Sequence, residues 1–328
     1  QILCGQWKRG ATTLNWAPKT VDSQGKTVLA GFQDGVVRVL SQGPKEWELV
    51  QAFKPHNGAV TSLDFAKGGN LLATGGSDGL VFLLSGEQKR SPGGVMMYDP
   101  VGFITLPAPV SSVAWRSDGK AVLATLGDGR VAEVNLEDEE SFSPPNPESF
   151  ELSPPLLVHT LRRPKGPKKP KAPAGGAVAQ PGSAAAAPGA EDGEDQKEGA
   201  TPGGGSSGEG KGEKSGTEPA SGGEKDSPPG DGEEDGEAEE DSRPMPPALQ
   251  GRYFKNRMGH FIVAFGGDLE GRLLEYTFEG EEPISTFSVG VGGREGLGAT
   301  SVGCLRYAGP AAQHILTAAL DGSVSLRR

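Results

Sequence analysis

Short apolar runs alternate with pairs of an acidic residue and glycine along most of this chain. The third residue past each acid is a branched aliphatic residue, and the pairs are Asp34-Gly35, Asp78-Gly79, Asp128-Gly129, Glu270-Gly271 and Asp321-Gly322. Apolar and polar residues that alternate with a period of two predict strands, and Asp-Gly between two such runs predicts a hairpin turn. No segment keeps an apolar period of 3.6 residues, so the pattern predicts an all-β chain.

These pairs belong to a longer repeat, whose clearest copy consists of Ala59–Phe65, Asn70–Gly79 and Leu80–Leu84. Repeats of about 40–50 residues built from short strands and tight turns are the signature of a β-propeller. We therefore predict a partial propeller with about five recognisable blades. One aromatic residue at an equivalent position of the first strand is predicted to anchor the packing of each blade, at Trp16, Phe65, Trp115 and Tyr307. Gln1 in place of Met, and strand-like sequence at both ends, predict a piece of a longer protein.

Composition divides the chain into three parts, predicted as blades in 1–161, a low-complexity insert in 162–248 and further blades in 249–328. The insert is rich in Gly, Pro, Ala, Ser, Glu, Asp and Lys, and such a composition cannot bury enough surface to offset the entropy of ordering. We therefore predict that it is disordered. Its Arg162–Lys171 run is basic and its Glu191–Asp241 stretch is acidic. The basic run is interpreted as a solvated linker, a nuclear localisation patch, or an arm that contacts the acidic surface of tubulin.

Backbone geometry explains why acid-glycine pairs suit hairpin turns. A two-residue hairpin loop needs positive φ at its centre, which Gly supplies freely and Asp tolerates. We therefore predict turn positions at Asp34, Gly35, Asp128, Gly129, Asp321 and Gly322.

The second unit resembles the WD-repeat family. Its Leu72–Gly79 phrase, Leu-Ala-Thr-Gly-Gly-Ser-Asp-Gly, is similar to the second strand of that family, and Pro55-His56 stands where the family has Gly-His. The resemblance implies a WD40-like propeller. It also implies a hydrogen-bond network of His56, Thr74 and Asp78, which in the family ends on a tryptophan. Leu84 occupies the tryptophan position here, so the implied network is shorter. The alternative interpretation of His56 is a surface histidine without a network.

Three further phrases resemble axonemal WD-repeat proteins of the dynein tether. They are Glu46–Leu49, Ala30–Gly35 and Tyr98–Pro107, and a charged insert after an acidic blade end is a further similarity. The resemblance implies a non-enzymatic scaffold of the ciliary or flagellar axoneme. Its implied partners are other tether proteins, inner-arm dynein and tubulin of the doublet microtubule. The alternative is a nuclear or cytoplasmic WD-repeat adaptor that binds a peptide, with the basic run as its import signal.

No pattern in the sequence predicts a catalytic residue, a metal site, a cofactor, a specific nucleic-acid partner or membrane insertion. Gly75–Gly79 satisfies the GxSxG pattern of a hydrolase nucleophile, but that motif needs a helix after the turn and a strand is predicted there. Gly25–Thr27 is similar to the end of a P-loop, yet Thr20 replaces the first glycine. Cys4 and Cys304 lack metal-ligand spacing and are predicted to be small buried residues. A propeller enzyme is therefore the weakest of the three functional hypotheses.

Overall fold

A computed structural model of the chain describes residues 8–86, 91, 94–144, 146, 148–165, 243–255, 257–289, 302–308, 314–319 and 324–327. These residues form five antiparallel sheets, each built from consecutive strands. Each sheet is one blade of a β-propeller, as the repeat predicted, and the first strands of successive blades lie against one another. The all-β prediction is confirmed.

Blades 1 to 3 each have four strands. Blade 1 consists of β1 (Ala11–Trp16), β2 (Thr27–Phe32), β3 (Val37–Gln42) and β4 (Trp47–Phe53). Blade 2 consists of β5 (Val60–Phe65), β6 (Leu71–Gly76), β7 (Leu80–Ser85) and β8 (Asp99–Thr105). Blade 3 consists of β9 (Val110–Trp115), β10 (Ala121–Leu126), β11 (Val131–Asn135) and β12 (Leu156–His159).

Blades 4 and 5 follow the low-complexity tract. Blade 4 consists of β13 (Ala248–Tyr253), β14 (His260–Phe265), β15 (Arg272–Thr277) and β16 (Ser285–Ser288). Blade 5 has three strands in the described part of the chain, β17 (Val302–Ala308), β18 (His314–Ala319) and β19 (Val324–Arg327). Two short 3₁₀ segments, Glu139–Phe142 and Gly267–Leu269, complete the described secondary structure.

Within the described residues, the acid-glycine pairs lie in turns that join two strands, but the turn type at the first pair differs from the prediction. At the first pair, the N–H of Gly35 donates to the carbonyl of Phe32 and the N–H of Phe32 donates to the carbonyl of Val36. This is the pattern of a three-residue loop, in which a turn is followed by one left-handed residue. Gly35 is that residue, with φ of 79°. The expected two-residue loop was therefore wrong, because only the glycine has to take positive φ.

Hydrophobic clusters fill the space between neighbouring blades. In four of the five copies, the residue three positions past the turn acid is buried in these clusters: Val37, Val81, Val131 and Leu273. Full burial of a valine or leucine side chain stabilises a fold by about 1.5–3 kcal/mol. The aliphatic residues of the repeat are therefore the main source of packing between blades. Val324 is the exception, since it is 65% exposed.

The predicted packing anchors divide into two groups. Trp115 is buried in the cluster between blades 2 and 3, and Phe65 packs against the cluster between blades 1 and 2. Trp16 is 56% exposed, so its prediction as a packing anchor was wrong. The face of blade 1 that carries Leu14 and Trp16 covers none of the four clusters in the described part of the chain, and Trp16 contacts Trp47 instead. The side chain of Tyr307 lies outside the described residues.

Most of the predicted insert, residues 166–242, lies outside the described residues. Its two ends are described, however. Arg163 is largely buried, and β13 begins at Ala248. The sequence of these ends was interpreted as part of the insert because proline and arginine dominate it. In the structure, the ends contact blades 3 and 4.

Candidate functional site

The structure brings together the three polar residues of the second unit. His56 lies in the loop before β5, Thr74 lies on β6, and Asp78 lies in the following turn. Nδ1 of His56 is 3.0 Å from Oδ1 of Asp78, and its Nε2 is 2.9 Å from the hydroxyl of Thr74. The side chain of His56 is completely buried. Leu84, at the family's tryptophan position, is buried against the neighbouring blade, so the chain of hydrogen bonds ends at Thr74.

Burial and hydrogen bonding determine the charge states in this network. Burial lowers the pKa of His56 below its usual value, although the Asp78 carboxylate partly opposes this. Burial alone would raise the pKa of Asp78, but His56 and the N–H groups of Asn57 and Leu80 outweigh it and lower that pKa. The arrangement therefore holds an ionised Asp78 beside a neutral His56. A neutral imidazole donates from one nitrogen and accepts at the other, which matches these two partners.

The turn acids Asp34 and Asp128 are paired with arginine. Oδ1 of Asp34 accepts from the N–H of Val36 at 3.2 Å, and its other oxygen is 3.5 Å from Arg38. Asp128 accepts from the N–H and the guanidinium of Arg130, and this pair is exposed. Gly129 has φ of 89°. Asp321 and Gly322 lie outside the described residues. Of the turns at Asp34, Asp78 and Asp128, that of Asp78 is joined to the preceding loop by a histidine.

The two enzyme-like phrases take up other roles. Gly75–Gly79 joins β6 to β7, so a strand follows it, and the hydroxyl of Ser77 accepts from the N–H of Ala59 at 2.9 Å. In the P-loop-like phrase, the carboxylate of Asp22 accepts from the N–H groups of Gly25, Lys26 and Thr27. Those donors already have an acceptor, so they form no phosphate cradle.

Within the described residues, no group of three or more His, Cys, Asp or Glu side chains has the arrangement of a metal site. The described part of the chain also contains no helix that is long and apolar enough to cross a membrane.

Polar side chains join the first strands of successive blades. The hydroxyl of Thr61 on β5 donates to the carbonyl of Val110 on β9 at 2.7 Å. One blade further on, the hydroxyl of Ser112 on β9 accepts from the N–H of Gly251 on β13 at 3.0 Å. Both contacts are at the inner edge of the blades, where they fix the position of one blade relative to the next.

Arg252 on β13 makes the most extensive of these connections. Its guanidinium donates to the carbonyl of Val113 on β9 at 2.8 Å and to that of Leu305 on β17 at 3.2 Å. It also lies 3.4 Å from the carboxylate of Asp64 on β5, which accepts from the N–H of Trp115. Burial raises the pKa of Asp64, and Arg252 opposes that shift. One arginine therefore connects the inner strands of four blades.

Sequence analysis missed this group, although the repeat contains a signal for it. The residue before the predicted aromatic anchor is polar in three of the four copies, at Asn15, Asp64 and Arg306, and Arg252 stands in the same way before the aromatic Tyr253 of β13. Successive side chains of a strand point to opposite faces, so a residue next to the aromatic residue lies on the other face of the strand. Aligning the copies at the aromatic residue would have placed these polar residues together on the inner edge.

The fold can now be compared with known proteins. Residues 47–84 match the WD40 model, described as WD domain, G-beta repeat. This segment runs from the outer strand of blade 1 to the third strand of blade 2, and it contains the His56 network. The chain is a β-propeller, and this segment of it is similar to a WD40 repeat. The β-propeller domain of Cps50 (Swd1) from Myceliophteria thermophila agrees with the fold, with a TM-score of 0.51 and 13% identity over 98% of this chain and 66% of that one.

Two relatives carry a ciliary name. The chain is 36% identical to cilia- and flagella-associated protein 44 of Mus musculus over 125 residues, which cover 34% of this chain and 6% of that protein. It is 30% identical to the protein of the same name from Chlamydomonas reinhardtii over 158 residues, which cover 43% of this chain and 9% of that protein. The matched regions are therefore a small part of each relative.

Proposed function

We propose that this chain is part of a non-enzymatic propeller scaffold of the ciliary or flagellar axoneme, which tethers inner-arm dynein to the doublet microtubule and supports motility. The observation that carries the proposal is the similarity to the mouse and algal ciliary proteins, combined with the WD40-type fold. The partners that we propose are other tether proteins, inner-arm dynein and tubulin. Propellers present exposed loops on a rigid framework, and such loops are where binding surfaces usually lie.

The proposal of a scaffold rather than an enzyme is supported by what the repeated residues do. Turn acids and glycines make hairpins, aliphatic residues fill the space between blades, and His56 joins a loop to a turn. Assays of nucleotide hydrolysis, esterase and peptidase activity on the purified protein are expected to give background rates. An activity that disappears in Ser77→Ala or Lys26→Ala would contradict the scaffold function.

Localisation of the tagged full-length protein in ciliated cells tests the axonemal proposal. We expect a ciliary signal that stays with the axoneme after detergent removes the membrane. A variant in which the arginines and lysines of residues 162–171 are replaced by glutamine serves to test the alternative adaptor. A nuclear signal that this variant loses would favour the adaptor and contradict the axonemal proposal.

A further inference from the structure

A cavity of about 640 Å³ lies between blades 3 and 4, next to both ends of the low-complexity tract. Its walls come from three places: the Asp128–Arg130 turn of blade 3, the chain ends 160–165 and 243–245, and Glu282 in the loop between β15 and β16. It is therefore a concave surface formed by segments that are distant in sequence.

Arg163 holds the walls of this cavity in place. Its side chain is only 6% exposed, and Nη1 lies 2.7 Å from a carboxylate oxygen of Asp268. Its other nitrogens donate to the carbonyls of Arg243 and Pro244, at 3.1 and 2.7 Å. One buried guanidinium therefore fixes both chain ends against blade 4, so the cavity is a built feature of the surface.

The lining of the cavity has a net positive charge although the chain as a whole has a net charge of −11, and the carboxylates of Glu281 and Asp268 lie at its border. Cationic side chains outnumber acidic ones among the lining residues; the cations are Arg130, Arg162, Arg163, Lys165 and Arg243, and the acids are Asp128 and Glu282. A local reversal of charge of this kind attracts anionic ligands from solution.

The exposed cations of the lining are paired with carboxylates that are themselves exposed. Arg162 pairs with Glu281 at 2.8 Å and Lys165 with Glu282 at 3.0 Å, and in each pair both side chains are more than half exposed. Arg243 pairs with Asp268 at 2.8 Å. Exposed ion pairs contribute little to stability because water and salt screen them. A ligand that carries several carboxylates can therefore replace these partners at small cost, while the buried Arg163 pair stays in place.

We propose that this cavity is a binding site for an acidic peptide, a run of glutamate or aspartate residues from a partner protein. Arginine pairs well with carboxylates because its donors match both oxygens. None of the described lining residues is aromatic, so the cavity offers no platform for stacking nucleic-acid bases. The proposal is based on the cavity alone and goes beyond the axonemal assignment.

Fluorescence anisotropy of a labelled oligoglutamate peptide with the purified full chain tests the proposal. We expect the peptide to bind, and to bind more weakly as the salt concentration rises. The triple variant Arg162→Gln/Lys165→Gln/Arg243→Gln is expected to lose affinity by about tenfold or more, since each 1.4 kcal/mol of lost interaction corresponds to a factor of ten. The matched control is Lys19→Gln/Lys67→Gln/Lys120→Gln, which removes the same charge from exposed positions elsewhere and is expected to bind like the unaltered chain.

Three results would overturn the acidic-peptide site. The first is no binding at low salt. The second is equal weakening in the control variant, which would show a non-specific effect of net charge. The third is a loss only in Lys168→Gln/Lys169→Gln/Lys171→Gln, which would assign binding to the basic run beyond the described residues. A single-stranded oligonucleotide that binds more tightly than oligoglutamate would overturn the choice of peptide. None of these results bears on localisation to the axoneme.

Discussion

Replacing Arg252 by alanine is expected to destabilise the fold by about 3–5 kcal/mol, the usual cost of removing one partner from a buried ion pair. The variant removes the nearest cation from the Asp64 carboxylate, on which Lys255 also acts, and leaves the carbonyls of Val113 and Leu305 without this donor. Since those groups belong to three other blades, the loss affects the inner edge of the whole assembly. Urea unfolding followed by circular dichroism measures the change.

Arg306→Ala is the matched control, because Arg306 occupies the equivalent position on β17 and donates only to the neighbouring carbonyl of Leu305. We expect this variant to lose less than about 1 kcal/mol, the range of ordinary partly exposed contacts. The double variant Arg252→Met/Asp64→Leu is expected to recover the part of this loss that comes from the unpaired carboxylate, since apolar residues often replace a buried ion pair without loss. The carbonyls of Val113 and Leu305 stay without their donor in this variant. Equal losses in Arg252→Ala and Arg306→Ala would show that the inner connection contributes nothing specific.

The second large effect is expected for Asp78. Asp78→Ala removes an ionised acceptor from buried His56 and from the N–H of Asn57, and hydrogen bonds to charged groups contribute about 1.5–3 kcal/mol. Asp128→Ala is the control, because Asp128 makes the same contact to the backbone two residues on but pairs only with exposed Arg130. We expect this control to lose less than about 1 kcal/mol.

The same pair of variants is expected to differ in the pH dependence of stability. The pKa of His56 lies below its usual value of about 6.5, so its contribution is present above that pH and is lost as the pH falls. The pKa of Asp78 is also lowered, from about 3.9, so its contribution is likewise lost on acidification through its folded pKa. Both variants lose an acid with a lowered pKa, but Asp78→Ala also removes the carboxylate that opposes the lowering of the His56 pKa, so that pKa falls further. Stability should therefore be lost over a wider pH range below about 6.5 in Asp78→Ala than in Asp128→Ala, in which His56 keeps its partner. Equal losses and equal slopes would contradict an energetic role for the network.

The fold could be predicted from sequence because its determinants are local. An Asp-Gly pair between alternating runs specifies a hairpin, and the aliphatic residue three positions past the acid identifies the packed face, as Val81 and Val131 illustrate. The outermost strands were harder to predict from the sequence. Both β12 and β16 are only four residues long, and β12 has two exposed positions followed by two half-buried ones, without the alternation of a strand that is buried on one face. The exposure of Trp16 depends on what packs beside blade 1, and the local sequence pattern contains no information about that neighbour.

The site residues also divide into those with a local sequence signal and those brought together by distant segments. His56 and Asp78 were identified through a family phrase within one blade, and the structure places them together. Arg252 and Asp64 are far apart in sequence and meet because β5, β9 and β13 share the inner edge of the propeller. Arg163 was assigned to a linker because its neighbours are proline, lysine and arginine. Contacts between segments that are distant in sequence cannot be derived from composition or from the hydrophobic period, so the roles of these residues could be recognised only in the structure.

Cross-linking with mass spectrometry on demembranated axonemes tests the central claim most directly, since it identifies the neighbours of the full-length protein where we propose that it works. Exposed lysines on the blades, Lys67 and Lys120 among them, serve as reactive positions. The account predicts cross-links to tether components, to inner-arm dynein or to tubulin. A protein that is absent from the axoneme, or whose cross-links all lead to nuclear or other non-axonemal partners, would contradict it.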